Sequence, residues 1–239
     1  MYPLLMMVVL TGAAALAVSA AERAPNFRLE GVDGQTYELK QAAQEARVVV
    51  VDFWDSGCKP CKQYMPHLQT FYEVYRPAGL ALLVVARDTA LTVSKVKPMV
   101  AAEKWTFPVL YDTDQKVSQA YHVKVSPVTF VISCNGEILY QHTGYKPGQE
   151  KELEAAIVKA LGLSEEDVAR LYAQRESAAE EAAAATAGTE SAEEAEAAAP
   201  EGEGAEETAV GDDAGETDAQ QPTGEAGRAG GEPLPCRDS

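Results

Sequence analysis

Two cysteines lie three positions apart in the sequence Cys58-Lys59-Pro60-Cys61. A strand-like apolar run, 47–54, precedes them and a helical pattern follows, so the pair lies where a helix begins. Unpaired N–H groups and the positive end of the helix dipole stabilise a thiolate there, and Lys59 adds a positive charge. Pro60 suits the first helical turn because it needs no N–H partner. We expect Cys58 to be the exposed nucleophile and Cys61 to resolve a mixed disulfide.

A structural disulfide or half of a zinc site would also place two cysteines at this spacing. Zinc needs further ligands, and the remaining cysteines, Cys134 and Cys236, are far apart in the sequence. His67, His122 and His142 form no recognisable ligand set, so we predict no metal. In an oxidising compartment Cys134 and Cys236 could pair with each other or between chains, or stay two unrelated thiols; the sequence leaves this open.

Asp52 is an acid within the apolar run that precedes the cysteines. Burial raises the pKa of a carboxyl group and suits it to proton transfer, so Asp52 is a candidate to take the proton from Cys61. The alternative is a hydrogen-bonded polar residue of the core with no part in the chemistry. Trp54, two residues on, is expected to pack beneath the site and to report its redox state by fluorescence.

The elements that must position these residues form an α/β pattern. Apolar residues spaced by three and four predict a helix over 59–75. The apolar run from Leu80 to Ala86 predicts a second buried strand. Together with the strand-like run 47–54, these elements form a right-handed βαβ unit. Asn135-Gly136 between two strand-like runs, 128–132 and 138–142, predicts a hairpin that closes the sheet. Two further helices are expected, over 150–161 and from 165 to about 176. The predicted fold is a central mixed β-sheet flanked by helices.

The site sequence resembles that of a known superfamily. The run Val51-Asp52-Phe53-Trp54, followed by Cys58-Lys59-Pro60-Cys61, resembles the strand and active-site signature of the thioredoxin superfamily. Segment 125–130 resembles its second signature, in which a cis-proline faces the dithiol. Segments 24–29 and 136–138 resemble the exported TlpA/ResA-like branch. The resemblance covers about residues 24 to 162.

The resemblance implies a thioredoxin fold and a thiol-disulfide oxidoreductase without a dissociable cofactor. It implies that Ser126 and Pro127 bind the substrate, with Lys59, Pro60 and Trp54 forming the active-site loop. Members of this branch typically reduce protein disulfides outside the cytoplasm, often those of apocytochrome c, and are recharged by a membrane-embedded thiol electron donor. The chain departs from the pattern at Gly57, where the family usually has an aromatic residue, and at Asp55, which adds a negative charge.

Three other functions remain open on the sequence. A periplasmic disulfide oxidase or isomerase would use the same dithiol at a more oxidising potential. A non-catalytic binding module could retain the fold alone. A peroxidase of the peroxiredoxin type is suggested only by the opening Ala24-Pro25-Asn26-Phe27, and the Pro-x-x-x-Thr-x-x-Cys pattern is absent at Cys58.

The N-terminal segment 1–20 is predicted to be a signal peptide. Its apolar run, 4–18, has the length of a signal core rather than of a membrane span, and cleavage is expected after Ala20, although no basic residue precedes the run. The domain is therefore expected in the periplasm or secreted. An uncleaved signal would leave it anchored to the membrane.

The C-terminal segment 176–239 has a different composition from the rest. It contains 18 acidic and 2 basic residues, nearly all of the net charge of −17, among Ala, Gly, Thr and Pro. With almost no large apolar residues it cannot bury enough surface to offset chain entropy, so we predict a disordered acidic tail after a thioredoxin-like domain over 21–175. Such a charge repels nucleic acid, and we predict no nucleic-acid partner.

Overall fold

The computed structural model describes residues 22–196, with side chains described for 22–182. The described chain contains seven strands and six α-helices, with two short 3-10 helices at Arg76–Ala78 and Val93–Lys95. In chain order the elements are β1 (Arg28–Glu30), β2 (Thr36–Glu38), α1 (Leu39–Glu45), β3 (Val48–Trp54), α2 (Lys59–Tyr75), β4 (Leu80–Ala86), α3 (Val96–Ala102), β5 (Val109–Tyr111), α4 (Lys116–Ala120), β6 (Val128–Ser133), β7 (Ile138–Thr143), α5 (Glu150–Leu161) and α6 (Glu165–Glu196).

The main sheet has the strand order β5-β4-β3-β6-β7, and a separate antiparallel pair joins β1 to β2. Strand β3 runs parallel to β4 and antiparallel to β6, so that Val51 lies between Leu83 and Phe130. All seven residues of β3 are buried, as its unbroken apolar run predicts. The mixed sheet, the parallel βαβ unit and the closing hairpin are therefore confirmed.

Helices cover both faces of the sheet. Alternate residues of β3 point to opposite faces: Val48 and Val50 pack with α2 and α5, whereas Val49 and Val51 pack with α1. Trp54 lies on the α2 side. The face under α2 therefore carries the residues that meet Cys61.

Helix α2 ends in a tight connection to β4. After Tyr75 the chain makes a 3-10 turn, and Gly79 takes a φ of 100°, a left-handed conformation that favours glycine. A Cβ at Gly79 would lie 3.0 Å from Cγ of Arg47. This turn sets where β4 begins beside β3, because the N–H groups of Arg47 and Val48 both donate to the Gly79 carbonyl.

The C-terminal helix is attached to the domain at its start. Tyr172 and Tyr75 both donate to Oε1 of Glu154, and Arg175 contacts Glu73 at 2.6 Å. Burial raises the pKa of Tyr172 to about 12, and the Glu154 carboxylate adds to the shift. These contacts fix the first turns of α6 against α2 and α5.

Helix α6 continues past the domain boundary predicted at residue 175, as far as Glu196. The alanines and glutamates of this stretch are strong helix formers, which the prediction of disorder from 176 did not weigh. The rest of the predicted tail, 197–239, and the predicted signal peptide, 1–20, lie outside the described residues. Within the described residues no helix is long and apolar enough to cross a membrane.

Candidate active site

Cys58 and Cys61 form a disulfide, with their Cα atoms 5.3 Å apart. Cys61 is fully buried in the core under α2, whereas Cys58 is partly exposed. A substrate can therefore reach the sulfur of Cys58 but not that of Cys61. This is the division of exposure expected between an attacking and a resolving cysteine.

Cys58 is the N-cap residue of α2. Its Sγ accepts a hydrogen bond from the Cys61 N–H at 3.2 Å, and Pro60 occupies the first turn, as predicted. When the pair is reduced, this N–H and the helix dipole favour the thiolate of Cys58 over its thiol. Lys59 is exposed beside it. The local geometry is therefore that of a site suited to activating Cys58.

Ser126 and Pro127 lie against the disulfide. The Ser126–Pro127 peptide bond is cis, and the Ser126 carbonyl oxygen lies 3.5 Å from Cys58 Sγ. The Gly144 N–H donates to the Pro127 carbonyl at 2.7 Å, which ties this loop to the end of β7. Substrate binding by Ser126 and Pro127 stays a prediction.

Asp52 is fully buried on the same face of β3 as Val50 and Trp54, which pack in one cluster with Cys61. Its Oδ1 accepts a hydrogen bond of 2.7 Å from Thr129, and its Oδ2 has no hydrogen-bond partner among residues 22–182. Burial raises the pKa of Asp52 to about 7, although the hydrogen bond from Thr129 acts in the opposite direction. A carboxyl group with this pKa can both accept and release a proton near neutral pH.

Trp54 lies beneath the site, as expected. It is fully buried, and its ring packs edge to face against Trp105 with centroids 5.2 Å apart. In the part of the chain whose side chains are described, its Nε1 has no hydrogen-bond partner. The position of Trp54 in the cluster of Cys61 supports its use as a fluorescence reporter.

The two departures from the family pattern lie in the loop before Cys58. The Asp55 carbonyl accepts a hydrogen bond of 3.0 Å from the Cys58 N–H, so this residue shapes the turn that presents the sulfur. Gly57 is exposed, and a Cβ there would meet only Oδ1 of Asp55, at 3.8 Å. A larger side chain would therefore fit at this position.

Within residues 22–182 no group of three or more His, Cys, Asp and Glu side chains is placed to hold a metal ion. Cys134, in the turn of the β6–β7 hairpin, is disulfide-bonded. The sequence left open whether Cys134 pairs with Cys236, and Cys236 lies outside the described residues.

Comparison with known proteins decides the family. The model of the AhpC/TSA family matches residues 20–141, half of the chain. The chain belongs to the AhpC/TSA family of thioredoxin-like proteins. Two relatives named thiol-disulfide oxidoreductase ResA are similar to this AhpC/TSA protein. The one from Halalkalibacterium halodurans is 33% identical over 141 residues, covering 59% of this chain and 77% of the relative. The one from Bacillus subtilis is 32% identical over 127 residues, covering 53% and 69%.

The solved structures agree with this assignment. A thiol:disulfide interchange protein DsbE from Chlorobium tepidum superposes with a TM-score of 0.54 at 30% identity, covering 59% of this chain and 96% of that protein. The predicted thioredoxin fold and the resemblance to the TlpA/ResA-like branch are thereby confirmed. This AhpC/TSA protein is a thiol-disulfide oxidoreductase.

Four polar residues around the site of this AhpC/TSA protein were not predicted from the sequence. Thr129 is the cross-strand partner of Asp52, and the Tyr64 hydroxyl lies 3.5 Å from the Thr129 oxygen. Arg87 and Asp88 follow β4 and bind the loops on either side of the dithiol. Two adjacent charges directly after a buried strand were a visible signal, because strand ends of this kind form the binding edge of α/β sheets.

Proposed function

We propose that this oxidoreductase works outside the cytoplasm and reduces disulfides of exported proteins, such as apocytochrome c. One observation carries the proposal: a partly exposed Cys58 paired with a buried Cys61, over a buried Asp52 whose pKa is raised to about 7. The relatives named thiol-disulfide oxidoreductase ResA and the thiol:disulfide interchange protein DsbE support thiol-disulfide exchange as the chemistry. The predicted signal peptide, 1–20, supports export.

The reaction has two exchange steps. The thiolate of Cys58 attacks one sulfur of the substrate disulfide; that S–S bond breaks, a mixed disulfide forms, and the released substrate sulfur takes up a proton. Cys61 then gives its proton to the Asp52 carboxylate and attacks Sγ of Cys58. The second substrate sulfur leaves as a thiolate, so the substrate gains two electrons and the Cys58–Cys61 disulfide is restored.

Recharging reverses these steps with a dithiol donor. A thiolate of the donor attacks Cys58, and Cys61 leaves as a thiolate that takes the proton back from Asp52. The second thiol of the donor then attacks the donor sulfur of the resulting mixed disulfide, Cys58 leaves as a thiolate, and the donor is oxidised to a disulfide. We propose that this donor is a membrane-embedded thiol protein, which fits a catalytic domain held in the same compartment.

Substrate docking is assigned to the loop of Ser126 and Pro127. Among the described residues, the Ser126 N–H makes no hydrogen bond, and the Ser126 carbonyl oxygen lies 3.5 Å from Cys58 Sγ. A polypeptide segment lying across the disulfide in extended form can pair with both groups. This would place a substrate sulfur in line with Cys58.

The test is the equilibrium reduction potential of the Cys58–Cys61 pair in the full chain, titrated with dithiothreitol and glutathione and followed by tryptophan fluorescence. A potential near that of thioredoxin, about −270 mV, supports the reductase. A potential near about −120 mV, the value for a strong periplasmic oxidant, would replace the proposal with the oxidase or isomerase. A pair that shows no reversible transition would leave only the binding module.

A further inference from the structure

Arg87 and Asp88 are neighbours at the carboxyl end of β4, next to the end of β3 that leads to Cys58. The Arg87 N–H donates to the Trp54 carbonyl at 2.8 Å, so the backbone of this dipeptide is joined to the last residue of β3. Their side chains diverge from this fixed point. Neither takes part in an ion pair within residues 22–182, so each charge is directed at a loop and not at the other.

Asp88 holds the loop that carries Cys58. Its carboxylate accepts from the Ser56 N–H at 2.8 Å and from the Ser56 hydroxyl at 2.6 Å. Asp88 and Ser56 are both buried. A buried carboxylate is costly unless hydrogen bonds satisfy it, so these two bonds fix Ser56 firmly, two residues before Cys58.

Arg87 holds the loop on the other side of the disulfide. Its Nη1 donates to the Ser126 hydroxyl at 2.9 Å, its Nη2 to the Val123 carbonyl at 3.2 Å and its Nε to the Ser118 hydroxyl at 3.2 Å. The planar guanidinium therefore spans the segment that leads into Pro127. Lysine cannot reproduce this fork of donors.

We propose that Arg87 and Asp88 act together as a clamp, positioning residues that hold the Ser56–Cys58 loop and the Ser126–Pro127 loop at a fixed separation so that the enzyme engages polypeptide disulfides. This inference rests on the proposed function. Because the two residues are adjacent at one strand end, a single peptide unit separates the residues that hold the two loops. The 3.5 Å approach of the Ser126 carbonyl to Cys58 Sγ is the result.

The clamp also forms a wall of an open cleft of about 340 Å³ beside Cys58. The cleft is lined further by Gly57, Thr89, Thr92 and Lys95. A polypeptide substrate would contact this wall and the Ser126 backbone at the same time, whereas a small disulfide needs only the sulfur of Cys58. The two kinds of substrate therefore depend differently on the clamp.

The experiment compares full-length Arg87→Lys and Asp88→Asn with the wild type on two substrates, insulin and oxidised glutathione. We expect kcat/KM for insulin to fall by about ten-fold or more, since small misplacements of reacting groups carry penalties of this order. The rate with glutathione should change by less than about three-fold. Arg170→Lys, which alters an exposed ion pair on α6, is the matched control and should leave both rates within about two-fold of the wild type.

A second measurement, amide hydrogen exchange of the same oxidised proteins, does not depend on turnover. Arg87→Lys should speed exchange in the segment 123–126, and Asp88→Asn should speed it at Ser56, each by about ten-fold, with the other loop following to a smaller extent. The clamp is refuted by equal losses on insulin and glutathione, or by exchange rates that do not change. A wild type that fails to reduce insulin refutes the proposed function instead, and the exchange data then decide on the clamp by themselves.

Ser126→Ala tests whether Arg87 acts through the loop it binds. In a double-mutant cycle, we expect the activity of the double variant on insulin to lie within about two-fold of the activity of Ser126→Ala alone. Fully multiplicative losses would show that Arg87 and Ser126 act independently, which contradicts the clamp.

Discussion

Replacing Asp52 by asparagine tests the buried carboxyl group through protein stability. Its pKa is raised from 3.8 to about 7, because the charged form is desolvated in the core. Each pKa unit is about 1.4 kcal/mol, so a fully ionised Asp52 destabilises the fold by on the order of 4 kcal/mol. Asparagine has nearly the same shape and carries no charge.

The direction in which the stability changes with pH follows from the number of protons that the folded and unfolded states bind. Below about pH 4 the carboxyl group is protonated in both the folded and the unfolded chain, and ionisation costs nothing. Between about pH 4 and pH 7 the folded state binds more protons, so the free energy of unfolding falls as pH rises, and the loss is complete above the folded pKa. The advantage of Asp52→Asn over the wild type should therefore be small at pH 4.5 and reach on the order of 4 kcal/mol at pH 8.5.

The assay is denaturant unfolding of the oxidised full chain at half-unit pH steps, with tryptophan fluorescence as the signal. Asp114→Asn is the matched control: Asp114 is exposed and paired with Lys116, and its replacement should leave the stability nearly unchanged across this pH range. A difference between Asp52→Asn and the wild type that is flat from pH 5 to 8 would refute the reasoning. It would mean that the Asp52 carboxylate is solvated or paired, and that it has no special capacity as a proton acceptor near pH 7.

Three further changes test the site and the fold. Thr129→Val removes a hydrogen bond that lowers the pKa of Asp52, so the alkaline rise in the rate of disulfide reduction should move to higher pH; an unmoved pH–rate profile contradicts this. Cys61→Ser should accumulate a mixed disulfide with a protein substrate, detectable by mass on non-reducing gels, whereas Cys58→Ser should form none; trapping by both variants would exclude the assigned order of attack. Gly79→Ala forces a side chain into a left-handed backbone and against Arg47, and should destabilise the fold by about 1 to 3 kcal/mol in denaturant unfolding without changing the reduction potential.

The sequence was sufficient to predict the parts of the site that depend on neighbours in the chain. Cys58 and Cys61 are three residues apart at a strand–helix junction, so their exposure, the cap and the first turn follow from local rules. Asp52 could be singled out because an acid in a seven-residue apolar strand has no local partner. Its raised pKa is a consequence of that burial.

Contacts between distant segments could not be predicted in the same way. Asp88 and Ser56 are 32 residues apart and Arg87 and Ser126 are 39 apart, and both contacts depend on how β4 lies against β3. The Thr129 hydrogen bond depends on the register of β3 and β6, which a shift of one residue would abolish. The extent of α6 was underestimated because low apolar content was weighed without the helix propensity of alanine.

The sulfur of Cys58 is at once the acceptor that caps α2 and the atom that changes covalent partner during the reaction. A thiolate is a stronger acceptor than a disulfide sulfur, because its charge strengthens the bond from the Cys61 N–H. The start of α2 is therefore more firmly closed in the reduced enzyme and loosens each time Cys58 becomes bonded to a second sulfur. The backbone order of this helical turn therefore depends on the redox state of the site. A partner protein could distinguish the reduced enzyme from the oxidised enzyme by the stiffness of this one turn.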